Sequence, residues 1–391
     1  VWKFATGELV CASAAGGGGR AFVATVHGSL HAVDIATGKG VWKWHNGKRT
    51  GFSTAPVLAG GKLFLAGRGG DVHCIDPANG RTVWSRQMPA PILQTPAAEA
   101  GRLFFAAEDM HLYCLSMTDG KELWKSRKLA GMGFRGYYPV IHDGKVLVEA
   151  EPGRKTVSAL TAPFIPTVGG LGDGMAPLIW GTSKEFLDKH GRDIQAGRPT
   201  PQALAAMLAC QEQQVKMFKA HPERMLRYCF DVDGRTEHIL PLWMNTMCGP
   251  QAPPIVDRDG MWVMCVAFVQ MGWGRMDPKT LRVVDVLYDH TGRGGRGNPD
   301  EDMVLSSAGN LIFASHAWGA SHAQYHGYFD LDTRRWDTYG AGDLTRRRRR
   351  SAAPSPEDKR PLNQRMLTGR YTNAQNELAG ISVAYGRAYF Q

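Results

Sequence analysis

The chain has no apolar run near the ~18 residues that a membrane helix needs, and none of its seven cysteines stands in a CxxC or CxxCH arrangement. The first absence leaves this stretch without a transmembrane segment. The second gives thioredoxin-like redox chemistry and covalent haem attachment no support, and an odd cysteine count argues against a neat disulfide framework. There is no Gly-rich phosphate loop, since Gly16–Gly19 reads as a hairpin turn, and no Ser/His/Asp arrangement stands out. Nucleic-acid binding is not expected either. The net charge is +10, but five of the positive charges are Arg346 to Arg350, in a Ser- and Pro-containing segment at 340–361 with no interleaved aromatics. That segment reads as a flexible, solvated loop, with an anionic partner such as lipid headgroups or a polymer as the runner-up.

What the chain does have is a period. Trp2, Trp42, Trp84 and Trp124 are spaced 40, 42 and 40 residues apart. Similar stretches close at the last three, His31-Ala-Val-Asp34 to Trp42, His73-Cys-Ile-Asp76 to Trp84 and Tyr113-Cys-Leu-Ser116 to Trp124. A period near forty with four short apolar runs per copy predicts an all-β fold, a β-propeller of four-stranded antiparallel blades. One such sheet cannot bury both faces alone, so the blades must stack. The repeated Trp, with Trp336 as a later copy, is expected on the outer strand D, wedged against a neighbouring blade. Cys74, Cys114 and Cys229 fall at one aligned position on strand C, which reads as a buried small hydrophobe.

Weaker copies continue the pattern and place blades near 5–46, 47–88, 89–130, 131–245, 246–291 and 298–340, with a partial seventh at 363–391. Both ends fall inside a repeat, so a seven- or eight-bladed propeller truncated at each end is expected. The fourth blade is interrupted at Pro152–Met225 by a helical insertion. Thr200 reads as an N-cap and Pro201 as the first turn of a helix to Phe218, with Leu204, Met207, Leu208, Val215 and Phe218 on one side. A second helical stretch is expected at Ser183–His190, and the insertion reads as a lid, docking platform or stabilising cap over the propeller face.

The block Ala32-Val-Asp34-Ile-Ala-Thr37-Gly38-Lys39-Gly-Val-Trp42 resembles the pyrroloquinoline-quinone-type propeller repeat, strongly in blades I to III and more loosely through blade VI. That superfamily holds quinoprotein dehydrogenases and non-catalytic propellers, such as the lipoprotein of the outer-membrane β-barrel assembly machinery. The dehydrogenases add an adjacent cysteine pair, a Glu/Asn/Asp calcium set and an Asp base. This chain has no Cys-Cys pair, and no segment matches the calcium set. The resemblance therefore implies a non-catalytic, monomeric binding or scaffolding module of the bacterial periplasm or cell envelope, with no cofactor expected. The alternative it implies is a pyrroloquinoline-quinone- and Ca-dependent dehydrogenase of an alcohol or sugar. Its base would come from Asp302, Glu301 or Glu108, and Arg135 would polarise the quinone oxygens.

Topology places any site on the face shared by the B–C and D–A connections. The exit of strand B changes chemistry from blade to blade, as Val26, Arg68, Glu108, Glu151, Ala267 and His316, while the scaffold positions repeat. The D–A segments add Arg135, Tyr137, Tyr138, Asp300, Glu301, Asp302, Asn376 and Glu377, and Trp318 follows His316. Such a face suits a protein partner or a small polar ligand. His316, His322 and His326 form a weak metal candidate, because they run from a loop into an extended strand.

Overall fold

The computed structural model describes residues 2–135, 138–150, 200–225, 227–241, 254–257, 260–267, 270–288, 303–308, 310–317, 324–333, 335–338, 381–384 and 387–390. These residues form an all-β fold of the β-propeller class, with six four-stranded antiparallel sheets and one further hairpin. The chain divides into two compact units, residues 1–151 with 221–239 and residues 152–220 with 240–391.

The first unit holds four blades. Blade I is β1 (Ala15–Gly17), β2 (Arg20–Ala24), β3 (Ser29–Asp34) and β4 (Gly40–His45). Blade II is β5 (Val57–Ala59), β6 (Lys62–Ala66), β7 (Asp71–Ile75) and β8 (Thr82–Gln87). Blade III is β9 (Ala97–Glu99), β10 (Arg102–Ala107), β11 (His111–Ser116) and β12 (Glu122–Lys125). Blade IV is β13 (Val140–His142), β14 (Lys145–Glu149), β15 (Arg227–Asp231) and β16 (Glu237–His238). Strands pair in chain order in each. The inner strands are aliphatic and aromatic and are buried on both faces between blades. Phe22, Leu30 and Leu63 pack together with Phe52, and Phe64, Cys74 and Phe105 pack with Tyr113.

In the first unit the repeated tryptophans reach across to the following blade. The indole N–H groups of Trp2, Trp42, Trp84 and Trp124 donate to the carbonyls of Ile35 (2.6 Å), Pro77 (3.1 Å), Met117 (3.0 Å) and Val232 (3.1 Å). Each acceptor lies one or two residues past strand C of the following blade. The rings lie so close that a Cβ on Gly80 would stand 2.8 Å from Trp42, and one on Gly120 would stand 2.7 Å from Trp84. Both glycines also hold positive φ, +75° and +70°, so Gly is required twice over.

A bulge tilts strand D so that the indole can reach across. The C–D register shifts after Ala32, Cys74 and Cys114, leaving Val41, Val83 and Leu123 as the extra residues. These three are 44%, 46% and 51% exposed, so the bulge turns outward the apolar residue preceding each Trp.

The second unit repeats the template. Blade V is β17 (Ile255–Asp257), β18 (Gly260–Ala267), β19 (Gln270–Asp277) and β20 (Arg282–Tyr288), and its C–D register shifts after Arg275, at the position aligned with Cys74. Blade VI is β21 (Met303–Ala308), β22 (Leu311–Ala317), β23 (Gln324–Asp330) and β24 (Arg335–Thr338). The hairpin is β25 (Ile381–Ala384) and β26 (Arg387–Phe390). Position 336 lies in β24 opposite Phe329. The expected stretch at Ser183–His190 and the arginines Arg346–Arg350 lie outside the described residues, as does the closure into seven or eight blades.

The helix α1 (Pro201–Ala220) starts where the N-cap signal puts it, with Leu204 N–H bonded to Thr200 O at 3.0 Å. It packs on β20, the outer strand of blade V. Gln211 Nε2 donates to Val283 O at 2.9 Å, and Val283 N–H donates to Gln211 Oε1 at 2.8 Å. One side-chain amide thus imitates a neighbouring strand and covers part of an open sheet edge. Arg282 and Glu212 form an ion pair beside it, at 2.7 Å. The helix buries Gln211, Gln214, Val215 and Phe218, so the buried stripe contains two glutamines that the apolar pattern does not include. For the described helix, the docking partner is the rim of blade V, whereas the sequence suggests a cover over the propeller face.

Candidate functional site

In blades I to III the B–C turn is tied to the segment that enters the same blade. Val26 N–H donates to Leu9 O at 3.0 Å, Arg68 N–H to Gly51 O at 3.0 Å and Glu108 N–H to Pro91 O at 2.9 Å. The B–C and D–A connections therefore share one face, as topology requires. Val26, Arg68 and Glu108 sit just beyond the ends of their B strands, in the turns, a shift of one or two residues from the sequence alignment. Each following D–A segment inserts an apolar plug: Phe52, Ile92 and Phe134 are fully buried. Sequence reasoning misses these plugs because they lie in irregular segments, although their own spacing near forty marks them.

Blade III departs from the pattern. Phe52 and Ile92 bond through their amides to the carbonyls of Thr25 (2.9 Å) and Gly67 (3.1 Å). Phe134 N–H bonds instead to Oε1 of Glu108 at 2.9 Å. The other carboxylate oxygen of Glu108 accepts from Arg135 Nη2 at 3.0 Å and Nε at 3.3 Å. The Glu108 side chain is 15% exposed and that of Arg135 59% exposed. The structure thus brings together two of the sequence candidates, Glu108 and Arg135; Arg68, in the B–C turn of blade II, and Tyr138, in the segment leading to β13, are exposed. Chemically, the pair is a backbone-anchored carboxylate that orients a guanidinium.

Tyr137, Glu151, Asp300, Glu301, Asp302, Trp318, His322, Asn376 and Glu377 lie outside the described residues. Position 316 stands opposite Tyr325 in β22–β23, and position 326 stands opposite Ser315. Among the described residues no three His, Cys, Asp or Glu side chains come together as metal ligands.

A second cluster sits on the outer part of blade II. Asp71 and His73 are two residues apart on β7, on one face, and Ser85 on β8 is the register partner of His73. His73 Nε2 lies 2.7 Å from Asp71 Oδ2, and Nδ1 lies 2.7 Å from Ser85 Oγ. Asn46 donates to the same Asp71 oxygen at 3.2 Å, and Lys48 Nζ is 3.9 Å from the other. Burial works to raise the Asp71 carboxyl, but its hydrogen bonds to His73 and Asn46 outweigh it and hold the pKa below the usual value. The sequence shows no such arrangement because Ser85 and His73 meet only through the C–D register. The available signal is that Ser85 occupies the position filled by Lys43 and Lys125 in blades I and III.

Residues 26–162 match the family model described as outer membrane protein assembly factor BamB, and the repeats there are of the pyrroloquinoline-quinone-like β-propeller type. No curated protein sequence matches the chain. Among solved structures it is similar to BamB from Moraxella catarrhalis, at 12% identity and a TM-score of 0.41, over 83% of this chain and 87% of that one. It is also similar to the quinohemoprotein alcohol dehydrogenase from Comamonas testosteroni, at 10% identity and a TM-score of 0.45, over 83% of this chain and 59% of that one. At these identities and TM-scores the structural likenesses assign no activity or partner.

Proposed function

We propose that this propeller is a monomeric binding or scaffolding module of the bacterial cell envelope, non-catalytic at its B–C/D–A face, which takes a protein or a small polar ligand. The observation that carries the reading is the engagement of Glu108. Its oxygens are taken by the Phe134 amide and the Arg135 guanidinium, which suits a fixed recognition element better than a proton acceptor. The Arg135 side chain is 59% exposed, and a guanidinium suits recognition of a carboxylate or phosphate. The match to the assembly-factor family over residues 26–162 supports the envelope setting.

The test is site-specific photocrosslinking from position 138 in cells, with the full chain. The expected result is a crosslinked partner that Arg135→Glu and Arg68→Glu abolish and that Lys62→Glu, at the opposite end of strand B, leaves intact. Calorimetric titration of the same chain with pyrroloquinoline quinone and Ca²⁺ supplies the opposing outcome. Saturable one-to-one binding overturns the scaffold reading in favour of a quinone-dependent dehydrogenase.

A further inference from the structure

We propose that Ser85 is a nucleophile activated by His73 and Asp71, forming a second site on the outer strand of blade II that accepts acyl groups from small activated esters. The three side chains form one hydrogen-bonded line, Asp71 Oδ2 to His73 Nε2 at 2.7 Å and His73 Nδ1 to Ser85 Oγ at 2.7 Å. A carboxylate only accepts, so Nε2 carries the proton and Nδ1 presents its lone pair to the Ser85 hydroxyl. This is the arrangement of a nucleophile, its base and the base's orienting acid, with the two imidazole nitrogens exchanged relative to the usual hydrolase order. Asp71 and His73 are 2% and 6% exposed, while Ser85 lies exposed on β8.

The imidazole is held in place. Trp44 meets it edge to face at 4.8 Å and Phe52 at 6.2 Å. Blade packing alone does not require the line. In blade I, His31 fills the same position against Phe4 at 5.6 Å, and its register partner is Lys43. Blade III sets Tyr113 opposite Lys125. Among these three blades, blade II alone puts a hydroxyl opposite a histidine with an acid behind it.

In the acylation step Ser85 Oγ bonds to the acyl carbon and the ester C–O bond breaks. The hydroxyl proton passes to His73 Nδ1 and from there to the departing oxygen. Water reverses the sequence and frees the serine, with no redox change.

The experiment treats the full chain with a fluorophosphonate probe, whose fluoride Ser85 Oγ displaces, and maps the modified peptide by mass spectrometry. Ser85 is expected to react about 100-fold faster than exposed Ser13, and His73→Gln to remove most of that advantage. Because His73 is buried, Ser85→Cys provides a second measure that leaves the histidine in place. Its thiol is expected to alkylate with iodoacetamide at least about 10-fold faster than Cys11 in the same molecule. Ser85 reacting at the rate of Ser13, or Cys at position 85 reacting at the rate of Cys11, in a chain with native near-UV circular dichroism, overturns the proposal and leaves the line as a packing device.

Discussion

Glu149, the last residue of β14, stands directly opposite Arg227, the first residue of β15, and the two form a buried ion pair with Nε to Oε2 at 2.5 Å. Their side chains are 3% and 5% exposed although they are 78 residues apart in sequence. The pair therefore sits where the chain leaves blade IV and where it returns. A one-residue slip of β15 would strand two buried charges, so the pair pins the register across the insertion. Arg227→Met is expected to cost about 3–5 kcal/mol by breaking its buried ion pair with Glu149. The double change Glu149→Leu with Arg227→Met is expected to recover most of that loss, as read by urea denaturation of both variants.

The Trp–Gly contact between blades makes a sharper demand than burial alone. Gly120→Ala places a methyl group against Trp84 at a φ that disfavours any side chain, with an expected cost of about 1–3 kcal/mol. Trp84→Phe keeps a six-membered aromatic ring but loses the pyrrole ring and its bond to Met117 O, with an expected cost of about 1–2 kcal/mol. A thermal melt ranks the two, and Gly120→Ala should fall lower.

Glu8 links stability to pH. It accepts hydrogen bonds from Thr25 Oγ1, Ser29 Oγ and Lys43 Nζ. The Thr25 bond is the largest influence and, with the others, overcomes the opposing effect of burial to bring the pKa from 4.5 to about 2. A depressed carboxyl stabilises the fold fully above its unfolded value of 4.5 and loses that contribution as pH falls toward 2. Glu8→Gln should then cost about 1–2 kcal/mol at neutral pH and almost nothing near the low end of that window. Chemical denaturation at both pH values checks the sign.

Cys74, Cys114 and Cys229 are buried at one repeated position on strand C. Burial pushes their thiols up to about 11, 12 and 12. Exposed Cys11 is expected to react with a thiol reagent in the native protein. The three strand-C thiols should react only after denaturant is added, as peptide mapping would show.

Gln211 takes both the N–H and the C=O of Val283. Gln211→Leu keeps the bulk and leaves two buried backbone groups without that partner. The Val283 amide should then exchange with solvent about 10- to 100-fold faster, while the Val33 amide in blade I stays unchanged.

The sequence by itself determined the repeat: the four-strand template, the repeated Trp on strand D, the buried strand-C cysteines and the helix start at Thr200. These are legible because each follows from alternation, turn chemistry and spacing within one unit of about forty residues, repeated by stacking. Tertiary structure alone decided which polar groups meet. Glu108 finds Phe134 and Arg135, His73 finds Ser85, Gln211 finds Val283 and Glu149 finds Arg227. Each of those meetings depends on a strand register, a loop path or a helix docking, to within about an ångström. A hydrogen bond is made or lost on that scale, whereas a hydrophobic pattern tolerates far more, and so the sequence names the scaffold while the packing selects the chemistry.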